Sequence, residues 1–199
     1  DASDSGNLKY VEKQYLPSSN LVLLGQYETS DSDSTVGVSD KFSTTYDFYK
    51  FYIMYRLTSN SDTRFRWLSS GNSEVSGSYY AYVGDMRQIN SSGSVSQGQD
   101  VSGYQESHAK ISENLSTSSS NFATLEMTIY NPFKGSTNMT RAKVIGVKSH
   151  YRNDGAWRSG GFTIEYLSGN AGNTYAGFKL FAGTGNITDY RWQLYGVKG

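Results

Sequence analysis

The 199-residue chain contains no cysteine, only two prolines and two histidines, and no surplus of charge of either sign. Without cysteine there is no disulfide framework, no thiolate metal site and no thiol nucleophile. Eighteen basic residues balance eighteen acidic ones. That balance argues against nucleic-acid partners and against an anionic-membrane anchor, both of which need excess positive charge. No apolar run approaches the ~20 residues that span a bilayer as a helix, and no secretory leader pattern is present. Residue 1 is Asp rather than Met, so a processed or trimmed chain is expected. Charged residues are only 18% of the chain, which leaves solubility largely to Ser, Thr, Asn, Gln and Gly.

What is abundant is aromatic and small: 17 Tyr, 9 Phe, 3 Trp and 21 Gly, a composition of strands and turns. Residues 1–20 are polar and read as an N-terminal arm ending in a Pro17-Ser18-Ser19 turn. LVLLGQYE (21–28) reads as a buried strand, with STVGVS (34–39) as its partner across the turn DSDS. In FYKFYIMYRL (48–57), Tyr49, Phe51, Ile53, Tyr55 and Leu57 share one face and Phe48, Lys50, Tyr52, Met54 and Arg56 the other. TRFRWLS (63–69) sets Phe65 and Trp67 opposite Arg64 and Arg66, and SYYAYVGDM (78–86) continues the pattern. Residues 88–120 are dominated by Ser, Gly, Gln and Asn and read as a long loop with one weak strand at 109–115. Five further strand signals follow, at 121–132, 141–151, 160–167, 174–182 and 188–197. The expected fold is all-β: an antiparallel, jelly-roll-like β-sandwich of about eight to ten strands, forming a single domain over 21–199.

Three stretches carry a family resemblance. The closing FKLFAGTGNITDYRWQLYGVKG contains Gly185-Asn186-Ile187 followed by Leu194-Tyr195-Gly196-Val197-Lys198. It resembles the "GNI…LYG" ending of tailed-bacteriophage virion proteins. Tyr46-Asp47-Phe48-Tyr49-Lys50-Phe51 is similar to that family's "tYd.Y.f.f" opening, and Asn131-Pro132 matches its strand-to-"NP" turn. Together they span roughly 21–199 in order. One departure stands out: the glycine that follows the turn in the family is replaced by Thr188-Asp189-Tyr190. The resemblance implies a non-enzymatic, jelly-roll-like component of the outer surface of a phage particle, in the tail, fibre or head.

Candidate chemistry is sparse. His108 and His150 lack a G-x-S-x-G elbow to serve. Glu126 and Glu165, on strands, are the carboxylates a glycosidase would have to use. Asp31-Ser32-Asp33-Ser34 opens like a calcium loop, but Phe42 stands where the bidentate Glu belongs. No metal site and no cofactor are expected. The loop 150–161 does hold sugar-binding ingredients: Tyr151, Asn153, Asp154, Trp157 and Arg158. Arg64, Arg66 and Trp67 have hot-spot composition for an interface. Lys9, Tyr10 and Tyr15 give the arm its docking side chains.

The expected function is therefore a non-enzymatic capsid-decoration protein on the virion exterior. It would bind the major capsid protein or other virion components through its arm and sandwich edges, as a homotrimer. The alternatives are a tail-fibre or receptor-binding tip used in host attachment, with a host-surface glycan as partner, and a carbohydrate-binding module.

Overall fold

Side-chain alternation decides this fold strand by strand. The computed structural model describes residues 20–118, 121–130, 132, 142–152, 155–167 and 174–198. Among these there are twelve strands and no helix: β1 (Leu21–Asp33), β2 (Thr35–Val38), β3 (Phe48–Leu57), β4 (Ser61–Ser69), β5 (Tyr80–Ile89), β6 (Val95–Glu106), β7 (Ala109–Leu115), β8 (Ala123–Tyr130), β9 (Lys143–Tyr151), β10 (Trp157–Tyr166), β11 (Tyr175–Ala182) and β12 (Ile187–Val197).

They form two antiparallel sheets. One has eight strands in the order β1-β12-β3-β8-β9-β10-β5-β6, the other four in the order β2-β11-β4-β7. The first strand pairs with the last and the second with β11, the nested pairing of a jelly-roll-like sandwich.

The core lies between the sheets. β3 contributes Tyr49, Phe51, Ile53, Tyr55 and Leu57, and β8 contributes Ala123, Leu125, Met127 and Ile129, the faces that alternation predicts. Opposite them stand Phe65 and Trp67 of β4 and Phe178 and Leu180 of β11. The rings interlock: Phe51 meets Phe178 edge-on at 4.9 Å, and Trp67 stacks on Tyr175 at 4.8 Å.

Three expectations are corrected. First, residues 88–120 are not a long loop: the strand expected at 109–115 is present as β7, and β6 lies within them as well. β6 is an edge strand of which only Asp100 and Val101 are buried. A strand exposed on both faces needs no apolar alternation, so hydrophobicity does not reveal it. Those strands bring the total to twelve. Second, LVLLGQYE belongs to the opposite edge strand, β1, and leaves Leu21, Val22 and Leu23 exposed. Third, DSDS is not a hairpin turn. Asp31 to Asp33 end β1, while β2 pairs with β11 in the other sheet.

The segments that carry the resemblance meet in space. Gly196 pairs with Tyr49 and Val197 with Phe48, and the Asp47 N–H donates to the Val197 carbonyl at 2.9 Å. A Cβ on Gly196 would come within 2.5 Å of the Tyr46 ring. In the preceding turn Gly185 has φ 73°, and the Asn186 N–H donates to Thr58 Oγ1 at 2.8 Å. The departure from the family pattern also has a structural counterpart. Asp189 has φ 45° at a bulge where β12 slips one residue against β3, a backbone that favours glycine. Its carboxylate is ion-paired with Arg56. The third element, Asn131, lies outside the described residues, but the Pro132 carbonyl accepts from the Tyr175 N–H at 2.8 Å.

Candidate functional site

The outer face of the eight-stranded sheet follows from the same alternation that fills the core. Residues of β3 that point away from the core fall into rows with their neighbours on β12, β8 and β9. One row reads Gln193, Tyr52, Glu126, Val147, and the next Arg191, Met54, Thr124, Ser149. These rows line an open trough of about 390 Å³, floored by Tyr52, Met54 and Val147, which are 37%, 42% and 56% exposed. A second depression of about 250 Å³ adjoins it toward β1, shares Arg191 and Trp192, and adds Gln26 and Glu28.

The trough is polar at its margins and neutral in sum. Lys50 pairs with Glu126 at 3.5 Å, and Arg191 with Glu28 at 3.7 Å. The Tyr195 hydroxyl donates to Gln193 Oε1 at 3.1 Å, and its ring stands edge-on to Tyr52 at 6.1 Å. Burial, and then the Glu126 carboxylate, push the Tyr52 hydroxyl above its usual range, so it remains a neutral donor. The sequence singles out Glu126 but does not bring these residues together. The signal was the outward set of β3, which becomes a site only once four neighbouring strands are aligned.

The residues proposed for glycan binding are divided by the structure. Tyr151 and Trp157 are cross-strand partners at the end of β9 and the start of β10, on the outer face and near the trough. Asn153 and Asp154 lie outside the described residues. Arg158 is corrected: it points inward and is 8% exposed. Its Nε donates to Gln88 Oε1 at 2.8 Å, and its Nη1 is ion-paired with Asp100. A strand that starts at Trp157 necessarily turns the next side chain to the opposite face.

The interface residues divide as well. Lys9, Tyr10 and Tyr15 lie outside the described residues. Trp67 is corrected: it is fully buried between Phe65 and Tyr175, so it offers no surface. Arg64 and Arg66 do reach the outer face of the four-stranded sheet, as alternation requires. Each has an internal partner, Asp62 Oδ2 at 2.7 Å and Glu74 Oε2 at 2.7 Å. Arg66 also lies over the Phe181 ring at 5.1 Å, and Lys179 joins Glu74 from the other side.

A buried ionic cluster lies between the sheets, and one of its members comes from the segment read as a loop. Lys148 Nζ of β9 meets Asp100 Oδ2 of β6 at 2.5 Å and also donates to the Ile111 carbonyl. Burial pushes the Lys148 ammonium below its usual range, against the pull of Asp100. His150, two residues along β9, is 2% exposed, and neither ring nitrogen makes a well-aligned hydrogen bond among the described residues. Burial pushes its pKa down to about 4, with Asp100 opposing the shift and Lys148 and Arg158 adding to it. The ring is therefore neutral at pH 7. Desolvated on all sides, the cluster has no access for a substrate.

The remaining catalytic candidates do not assemble. His108 Nδ1 lies 3.2 Å from Ser107 Oγ, but its ring rests against Phe181, and cationic Arg64 and Arg66 add to burial in lowering its pKa. Glu126 and Glu165 face the same side, two strands apart and four residues along. That places them about 16 Å apart, beyond the reach of a glycosidase pair at about 5–9.5 Å. Among the described residues no three His, Asp or Glu side chains gather to hold a metal. Asp33 instead accepts from the Tyr190 hydroxyl at 2.5 Å. No protein-family model, no curated protein and no solved structure matches the chain.

Proposed function

We propose that the protein is a non-enzymatic structural component of the outer surface of a bacteriophage virion, a head-decoration protein that binds the particle through its N-terminal arm and sandwich edges. The observation that carries this reading is a mismatch of widths. An eight-stranded sheet covers a four-stranded one, so its two edge strands and its aromatic outer face present contact area among the described residues. The motifs that resemble phage virion proteins support the same reading. They include two positions where the backbone has little freedom, Gly196 under Tyr46 and Gly185 in its left-handed turn.

The described chain begins at the β1–β12 margin, where the Lys198 N–H donates to the Asn20 carbonyl at 2.9 Å, and the proposed docking arm precedes that point in sequence. Docking in many copies, here as a homotrimer, multiplies weak single contacts. Cosedimentation with empty capsids tests the proposal. The whole chain pellets with capsids, and a chain lacking residues 1–20 stays in the supernatant. A whole chain that stays in the supernatant overturns head decoration.

A further inference from the structure

The trough on the outer face has a chemistry of its own, and it is independent of where the protein resides. We infer that it is a binding site for a neutral oligosaccharide, laid across the strands from β1 to β9.

The first reason is the order of side chains along a row. Gln193 and Glu126 flank Tyr52, each one strand away. At about 4.8 Å per strand, hydrogen-bonding groups recur about every 10 Å with an apolar surface between them. The next row repeats the pattern with Arg191, Met54 and Thr124. Sugars present the same mixture, apolar C–H faces bordered by hydroxyls. A purely apolar ligand would leave the polar margin desolvated and unpaired.

The second reason is charge. The two cations at the margin already have their carboxylates, Lys50 with Glu126 and Arg191 with Glu28. Among the described residues no unmatched charge remains there to recruit an anion or a cation, so the complementary ligand is neutral. The third reason is shape. Two adjoining depressions of about 390 and 250 Å³ have the volume of small-molecule sites. A stable protein partner would instead need about 800 Å² of matching surface. From β1 to β9 the trough crosses five strands, about 19 Å, which suits a short oligomer.

The test uses the isolated protein on an array of neutral and anionic oligosaccharides, followed by titration of those retained. Neutral glycans are expected to bind. Tyr52→Ala should weaken them at least ten-fold, and Val147→Arg, which fills the floor from an exposed position, should abolish binding. Trp157→Ala, on the same face but outside the trough, should change affinity by no more than two-fold. Unchanged thermal unfolding in each variant shows that the sandwich is intact. The inference is overturned if no neutral glycan binds at millimolar concentration, or if anionic glycans are preferred. It is equally overturned if Tyr52→Ala and Val147→Arg bind like the parent, or if Trp157→Ala alone abolishes retention. None of these outcomes depends on capsids, so failure here is distinct from failure of virion attachment.

Discussion

His150 shows how much a single buried side chain can set. Its folded pKa of about 4 lies below the ordinary 6.5, so between those values the unfolded chain binds a proton that the folded chain refuses. Stability therefore falls as pH drops from 6.5 toward 4, by about 3 kcal/mol across the window. Urea unfolding from pH 4 to 7 measures it, and His150→Leu should flatten that part of the profile relative to the parent. Asp100→Asn should cost about 3–5 kcal/mol, because it leaves Lys148 and Arg158 buried without their counter-ion. Trp67→Ala should cost a similar ~3–5 kcal/mol in the same assay, as the loss of a core ring. The alternation of TRFRWLS already placed Trp67 with Phe65 on one face. Composition alone suggested an interface, and composition does not say which face is buried. Asp100 was illegible for another reason: its charge looks solvated until β6 is aligned against β5.

At the scale of elements, β3, β8 and β12 were legible because each is buried on one face only, so apolar residues recur at every second position. β12 lies between β1 and β3, with Tyr190 and Leu194 turned inward, which explains its aromatic side chains. β1 and β6 were misread in opposite directions, since an edge strand is free to be apolar or polar. Two positions in β12 are fixed by backbone demands. Gly196→Ala should destabilise by about 1–3 kcal/mol through the clash with Tyr46. In the background of Tyr46→Ala that cost should largely vanish, as a double-mutant cycle would read. At the bulge, Asp189→Gly should be more stable than Asp189→Ala by about 1 kcal/mol, because the left-handed backbone penalises a Cβ. Equal stability of the two would contradict the assignment of strain to Asp189.

At the scale of the whole molecule, the two outward faces differ in kind. The four-stranded sheet carries a self-satisfied network of Arg66, Glu74 and Lys179 around Phe181. The eight-stranded sheet carries the aromatic trough, with free edges on either side among the described residues. Contact area on one side is the physical basis of the binding role that we propose. The most direct measurement of the proposed role is imaging of intact virions purified from a lysate that contains the chain, labelled with gold-tagged antibody against it. The account predicts label on the outside of the particle, concentrated on the head. Particles that carry no label, while unassembled chain in the same lysate does, would contradict it.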